Sequence, residues 1–197
     1  GHSGKRRATR WLTATVACAG GVFLSALLFW NARVEWDSLQ AENALIVGDF
    51  ALAQRITDEA LAAAPRHSRL RRILGESLIQ GAPTSKNPRE NFVLSTYHLR
   101  RSTELDPDER WNQLMLAISL SSLHQPRAAE IAHIEAIRLD PGNPAAREYY
   151  ALFLEGAGMT AEAIRAYEVS LALPGTKFSG QRLKALRQKV KATPEKR

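Results

Sequence analysis

The sequence repeats one pattern of small residues and prolines at a spacing of about 34 residues, and no other feature limits the fold as much. Small residues are needed where two helices cross closely, and proline ends a helix because it has no N–H to donate. Because the chain lacks alternating runs of Val, Ile and Thr, the pattern predicts an all-α fold. The copies are Ala53, Ala60 and Pro65; Ser95, Ser102 and Pro107; Ala129, Ala136 and Pro141; and Ala163, Tyr167, Ser170 and Pro174.

This pattern resembles that of the tetratricopeptide repeat (TPR) family over most of residues 34–177. The resemblance implies a helical solenoid of about four helix pairs. The residues on either side predict a transmembrane helix before the solenoid and a capping helix after it. The second copy is eight residues longer than its neighbours, and we expect the extra residues in the turn at Ala82–Pro88. Within the predicted solenoid, 31–177, the repeats are 34–67, 68–109, 110–143 and 144–177, and the family's small first-helix position falls at Ala41, Gly75, Ala117 and Ala151.

Residues 178–197 are predicted to form a basic capping helix and tail. Leu183, Leu186 and Val190 fall on one helical face, which suits a helix that covers the last repeat. The basic residues of this segment could instead contact anionic lipid headgroups or an acidic partner.

Residues 11–30 are predicted to form a transmembrane helix. Leu12–Phe29 carries no charge and has the length needed to cross a hydrocarbon core of about 30 Å. Trp11 and Trp30 bracket the segment and suit its two membrane interfaces. The small residues Ala17, Gly21 and Ser25 recur every four residues, which would let another transmembrane helix pack closely.

Two processed forms compete with a retained anchor. A cleaved signal peptide needs small residues before the cut, and Leu28-Phe29-Trp30 does not supply them. A lipoprotein could use Thr15–Cys18 as a degenerate lipobox, but a further apolar stretch follows Cys18. We therefore expect the anchor to be retained.

The charge bias predicts the orientation. Residues 1–10 form a basic leader with Lys5, Arg6, Arg7 and Arg10, whereas Arg33 is the only basic residue in the 20 that follow the apolar segment. Positive charge stays inside, so we expect a cytoplasmic N-terminus, a bacterial inner-membrane anchor and periplasmic repeats. An alternative origin of the opening Gly1-His2-Ser3-Gly4 is a cloning remnant. The orientation is therefore predicted only from Lys5 onward.

The net charge of +7 does not indicate nucleic-acid binding. Residues 31–176 hold 15 basic and 19 acidic residues, and the basic excess lies at the two ends of the chain. No basic stripe with interleaved aromatic residues follows the repeats, so we expect no nucleic-acid partner.

The sequence also predicts no enzyme, metal site or cofactor. His67, His98, His124 and His133 lack the spacing of metal ligands, and His133 is expected to be a core residue. Cys18, the only cysteine, falls in the apolar segment, so an internal disulfide is excluded and a thiol nucleophile is disfavoured. No glycine-rich phosphate loop or nucleophile elbow is present.

The family resemblance implies a concave groove lined by the first helix of each pair. Trp111 and Met115 would suit an extended or helical peptide, because a ring supplies contact area and a thioether adapts its shape. Each residue could equally belong to the core, since the two faces differ by one residue step. The implied groove residues are Arg69, Arg72, Glu76 and Ile79; Trp111, Leu114, Met115 and Ile118; and Glu148, Leu152 and Glu155.

A carboxylate clamp, which some TPR proteins use, is not expected here. Ser38, Glu42, Ile73, Trp111 and Met115 stand where those members place lysine, asparagine and arginine.

We interpret the chain as a non-enzymatic interaction scaffold: an accessory subunit of a bacterial inner-membrane complex with a periplasmic TPR domain. It resembles membrane-anchored TPR proteins of secretion, polysaccharide export, cytochrome maturation or envelope assembly, and the fold does not choose among them. The expected partners are an integral membrane protein or multi-subunit complex, a peptide segment in the groove, and the lipid bilayer. The alternatives are a periplasmic chaperone or receptor for extended clients, and self-assembly through stacked repeats.

Overall fold

The computed structural model describes the backbone of residues 2–192 and the side chains of residues 20–192. In this part of the chain all regular structure is helical, which confirms the predicted all-α class. The helices are α1 (His2–Ile46), α2 (Phe50–Ala63), α3 (Ser68–Gly81), α4 (Pro88–Leu105), α5 (Arg110–Ser122), α6 (Pro126–Leu139), α7 (Pro144–Gly156), α8 (Thr160–Leu171) and α9 (Ser179–Ala192), with a 3-10 turn at Ala82–Thr84.

The helices pair in chain order and stack. Helices α1 and α2, α3 and α4, α5 and α6, and α7 and α8 pack as hairpins, and the second helix of each hairpin packs on the first helix of the next. The first helices, α1, α3, α5 and α7, also contact one another in sequence. They therefore form the inner face of the solenoid, and the second helices form the outer face.

The repeated small residues lie where the helices cross. Ala53, Ala129 and Ala163 are fully buried at equivalent positions of three second helices, as the repeat predicted. Gly75 makes the closest approach, because a Cβ added there would lie 2.6 Å from Leu99 Cγ. A larger residue at Gly75 would have to push α4 away from α3.

Prolines and polar caps begin several helices. Pro88, Pro126 and Pro144 occupy the first turns of α4, α6 and α7, where the missing N–H costs nothing. The side chain of Asp49 accepts from Leu52 N at 3.0 Å and so caps α2.

The turns inside three hairpins share one backbone conformation. Gly48, His124 and Gly158 occupy equivalent places and have φ of 81°, 56° and 77°. Glycine adopts this left-handed conformation without steric cost, whereas histidine does not. The turn of repeat three is therefore the strained one.

The long second repeat departs from the expectation that its turn alone takes up the extra residues. The connection 82–87 has six residues, against three at 47–49, 123–125 and 157–159. Helix α4 is also longer, with 18 residues against 14 in both α2 and α6. The insertion thus extends a helix as well as a turn.

Helix α1 continues without a break on both sides of residue 30. None of the residues that the structure describes belong to a helix with the length and apolar character required to cross a membrane. Much of the predicted anchor, including Trp11 and Ala17, lies outside the residues whose side chains are described, as does the basic leader. Residues 20–33 of α1 are all exposed, and α1 enters the packed core from Val34 onward.

Helix α9 covers the C-terminal end of the solenoid. Leu183 and Leu186 are buried in a cluster with Tyr167 of α8 and Leu154 of α7. Val190, which was expected on the same face, is 48% exposed and is not part of this cluster. Residues 193–197 of the predicted tail lie outside the described part of the chain.

Candidate partner-binding groove

The inner face has a polar half in repeats one and two. Arg69 Nε donates to Glu42 Oε1 at 3.0 Å, and Arg72 Nη1 donates to Glu76 Oε2 at 3.1 Å. Arg72 Nη2 also donates to Glu42, and Trp111 Nε1 donates to Glu76 Oε2 at 3.2 Å. These five side chains, here called the polar network, join the inner helices α1, α3 and α5.

The polar network is compensated in charge. The hydrogen bond from Arg69 holds the pKa of Glu42 below its ordinary value, against an opposing effect of burial. The same bond raises the pKa of Arg69, so both partners stay ionised. Because carboxylates already occupy Arg69 and Arg72, a partner's carboxylate would have to displace one of them to bind here.

The inner face has an apolar half in repeats three and four. A cavity of about 590 Å³ opens between α5, α6 and α7, and none of its lining side chains is Lys, Arg, Asp or Glu. This volume lies within the usual range for ligand pockets, about 300–1,000 Å³. The lining residues of this inner cavity are Ile118, Ser121, Ser122, His124, Gln125, Pro126, His133, Tyr149, Leu152, Phe153, Gly156 and Ala157.

His133 forms the floor of the inner cavity and is a core residue, as expected from the sequence. Its ring is buried at centroid distances of 5.3 Å from Phe153 and 5.7 Å from Tyr150. Nε2 shares a hydrogen bond of 3.2 Å with Ser121 Oγ, whereas Nδ1 has no partner among the described residues. Burial lowers the pKa of His133 to about 4, so this ring is neutral near pH 7.

Several predicted groove residues lie on the inner face. Arg69, Arg72, Glu76 and Trp111 belong to the polar network, and Ile118 and Leu152 line the inner cavity. Ile79 is half-buried and packs against the central core cluster.

Leu114, Met115 and Glu148 were wrongly placed in the groove, since all three are buried inside the solenoid. Leu114 and Glu148 occupy the same position in their repeats, and side chains at this position face the core. Met115 points toward the preceding second helix and packs in the central cluster with Leu99 of α4. A 100° step per residue makes these neighbours hard to separate by pattern alone.

Glu148 instead holds the C-terminal helix. Its Oε1 accepts hydrogen bonds of 2.9 Å from the backbone N–H groups of Lys177, Phe178 and Ser179, and another from Ser179 Oγ. These donors are at the start of α9, where backbone N–H groups have no partner within the helix. The buried carboxyl group is therefore the N-terminal cap of α9.

Glu155 likewise joins helices within the fold. It accepts a 2.8 Å hydrogen bond from the Tyr167 hydroxyl and lies 3.3 Å from Arg182 Nε of α9. Burial and the bond to Glu155 raise the pKa of Tyr167 to about 12. Glu155 thus couples α7, α8 and α9.

Glu42, Tyr149 and Phe153 lie on the inner face but were not predicted there from the sequence. Glu42 was considered only as a departure from the carboxylate clamp, although it bridges both arginines of the polar network. Tyr149 and Phe153 are four residues apart on α7 and line the inner cavity beside Leu152. Their i, i+4 spacing was a visible signal that they share a face.

The residues near the predicted membrane interface are exposed. Gly21 has open space where a Cβ would lie, and Ser25 Oγ donates back to Gly21 O at 2.9 Å. Trp30 lines a second cavity, of about 600 Å³, together with Phe29 and Trp36 of α1 and with residues of α2.

Among the described residues, no group of three or more His, Cys, Asp and Glu side chains is arranged to hold a metal ion.

No family model and no curated protein matches the sequence. Solved structures match it in fold. The thermophilic TPR protein TTC0263 of Thermus thermophilus superposes with a TM-score of 0.68 and 17% identity, over 85% of this chain and 95% of that chain. The MamA protein superposes with a TM-score of 0.61 and 22% identity, over 80% and 86%.

The O-GlcNAc transferase of Thermobaculum terrenum matches with a TM-score of 0.62 and 21% identity, over 70% of this chain but 25% of the transferase. At these identities the likeness is one of fold. The order of the helix hairpins, the buried small residues at their crossings and these matches lead to one conclusion: the chain has the fold of the tetratricopeptide repeat proteins.

Proposed function

We propose that this chain is a non-enzymatic interaction scaffold, an accessory subunit that binds a peptide segment of a larger bacterial inner-membrane complex on its inner face. The observation that carries the proposal is the inner cavity, whose lining contains no Lys, Arg, Asp or Glu side chain, beside the charge-compensated polar network. An apolar pocket with a few polar groups provides contact area for a large side chain, and the neighbouring ion pairs provide hydrogen-bond partners for the backbone of a peptide.

The anchor is part of this proposal. The sequence from residue 11 to residue 30 carries no charge, and α1 runs through it into repeat one without a break. Val22, Phe23 and Phe29 are each more than 70% exposed, which is unfavourable in water and favourable in lipid. A helix with no break after residue 30 would hold the repeats close to the membrane surface.

The proposed orientation follows from charge. Four basic residues precede the apolar segment and one lies in the 20 residues after it, so the N-terminus would be cytoplasmic and the repeats periplasmic. Protease added to spheroplasts tests this orientation. Digestion of the repeats without permeabilisation supports it, and digestion only after permeabilisation refutes it.

The binding site is tested with one pair of variants. Leu152→Glu puts a charge at the inner cavity, whereas Val169→Glu puts the same charge on an exposed outer position of α8. Each full-length variant is extracted gently from its native membrane and affinity-purified, and its partners are measured by mass spectrometry. We expect Leu152→Glu to lose a stoichiometric membrane partner and Val169→Glu to keep it.

Two results would contradict this proposal. Retention of the partner by Leu152→Glu would show that the inner cavity does not bind it. A broad set of substoichiometric soluble clients, lost together in Leu152→Glu, would favour a chaperone or receptor instead.

A further inference from the structure

The face of α1 that points away from the solenoid is apolar and uncovered. Trp36 is 60% exposed, Leu39 48% and Ile46 81%, although all three lie beside residues that pack in the core. Val22 and Phe29 extend the same face toward the N-terminus. Phe29 and Trp36 border the cavity that α1 shares with α2, but both side chains stay mostly exposed, and we call this surface the outer stripe of α1.

The residues equivalent to Trp36 and Leu39 in later repeats are buried, whereas Gln80, the equivalent of Ile46, is exposed. Trp36 occupies the repeat position of Leu70, which is 0% exposed, and of Asn112, which is 1% exposed. Leu39 occupies the position of Ile73, which is also 0% exposed. In those repeats the second helix of the preceding hairpin covers the position, as α2 covers α3 and α4 covers α5. The outer stripe is thus a surface shaped to receive a helix.

The spacing of the outer stripe indicates what kind of helix fits. Its members alternate steps of three and four residues, which is the heptad spacing of a coiled coil. The stripe covers 25 residues, or about 37 Å of helix at 1.5 Å per residue. Its members are Val22, Ser25, Phe29, Ala32, Trp36, Leu39, Asn43 and Ile46.

The outer stripe contains no charged residue, and charged residues on either side of it are paired within the chain. Arg33 pairs with Asp37 on α1 itself, and Glu35 and Glu42 pair with Arg69 of α3. The flanking charges therefore have partners within the chain and leave an uncharged strip between them. Such a strip fits an equally uncharged helix, and a second copy of α1 is one.

We infer that α1 pairs with α1 of a second copy as a parallel, two-stranded coiled coil that runs from the anchor into repeat one. Two-fold symmetry then places each stripe residue opposite its own copy. Asn43 falls on the same heptad position as Phe29 and Trp36, where a single asparagine fixes register and favours two parallel strands through paired amides. The parallel direction rests on the proposed anchor, which gives all copies one orientation in the membrane. The exposure of the outer stripe does not depend on that anchor.

Cysteine cross-linking in the full-length chain tests the interface. In a Cys18→Ser background, Leu39→Cys and Asn43→Cys should form disulfide-linked dimers in the native membrane, because their side chains would meet across the symmetry axis. Arg55→Cys, on an exposed position of α2, is the matched control and should stay monomeric. Absence of dimers at both stripe positions, or cross-linking to a different protein there, would overturn the inference.

A second pair of variants measures the association itself. Ile46→Glu places a charge on the outer stripe, and Ile131→Glu places one on a similarly exposed apolar residue of α6. The mass of each detergent-solubilised full-length protein is measured by light scattering. We expect a dimer for the unmodified chain and for Ile131→Glu, and a monomer for Ile46→Glu; a monomeric unmodified chain, or a dimeric Ile46→Glu, contradicts the proposal.

Failure of the proposed function would look different. If Leu152→Glu keeps its membrane partner, the proposed groove is wrong, while the dimer formed through the outer stripe is unaffected. If the anchor proposal is wrong, the chain fractionates away from the membrane, and its mass still reports whether two copies associate.

Discussion

The two ends of the solenoid are built from the same repeat but finish differently. At the C-terminal end, α9 lies on α8, buries Leu183 and Leu186, and is capped by the carboxyl group of Glu148. At the N-terminal end, Trp36 and Leu39 remain exposed at positions that later repeats bury. We therefore call them the closed end and the open end.

The neighbour of a repeat, rather than its own sequence, therefore decides whether its apolar face is core or surface. Every first helix carries apolar residues on the side that faces the preceding hairpin. A stacked array buries this side in all repeats but the first, so a terminal repeat needs either a polar cap or a partner. The closed end has the cap, and we propose that the open end has the partner.

The largest expected effect comes from removing the cap of the closed end. Glu148→Ala leaves three backbone N–H groups and the Ser179 hydroxyl without their acceptor, and we expect it to lower the free energy of unfolding by about 4 kcal/mol. Hydrogen exchange should rise in residues 177–192 first. Glu168→Ala, which removes only an exposed pair with Arg187, should cost less than about 1 kcal/mol; equal effects would show that Glu148 is no cap.

Lowering the pH should destabilise repeat three, which contains His133 and lies next to the last repeat. Burial lowers the pKa of His133 from 6.5 to about 4, so between these values the unfolded chain binds a proton that the folded chain does not. The free energy of unfolding should therefore fall as pH falls from about 6.5 to about 4, by about 3 kcal/mol for this residue. Burial, together with Arg71, also lowers the pKa of His98 to about 4, which adds an effect of the same sign.

Denaturant titrations at pH 7.0 and 4.5 measure this change. His133→Phe keeps a buried ring without the titrating group and should remove its share of the pH dependence. An unchanged pH dependence of the free energy of unfolding in this variant would show that His133 does not cause it.

Matched truncations compare the two ends directly. Leu186→Ala at the closed end removes a buried side chain and should cost about 2 to 3 kcal/mol. Leu39→Ala at the open end should cost less than about 1 kcal/mol at concentrations where the chain is monomeric, because the side chain is half-exposed there. A cost at Leu39 that grows with protein concentration would indicate that this residue lies in a dimer interface, since such an interface stabilises by mass action.

The smallest effect should be stabilising. His124→Gly replaces a side chain at φ 56° by the residue found at the equivalent turn positions Gly48 and Gly158. We expect a gain of about 1 kcal/mol from relief of backbone strain. Thermal unfolding measures the gain, and an unchanged or lower midpoint would indicate that contacts of His124 with the inner cavity outweigh the strain.

Much of the fold could be predicted because its signals are local. The buried alanines and serines recur at fixed spacing, and Pro88, Pro126 and Pro144 each stand in the first turn of a helix. The candidate groove was predicted less well, because the face of a helix that meets a partner differs by one residue from the face that meets the core. Leu114 and Met115 are buried, whereas Ile118, about one turn later on α5, lines the inner cavity.

The all-α class, the helix pairs and the small residues at their crossings could be predicted from the sequence alone, because helix periodicity, proline geometry and side-chain size act over a few residues. Only the tertiary structure decided that Glu148 caps α9 from about 30 residues away, that the arginines of the polar network are already paired, and that Trp36 lies uncovered. These outcomes depend on which distant segment arrives at each face, and no local pattern carries that information.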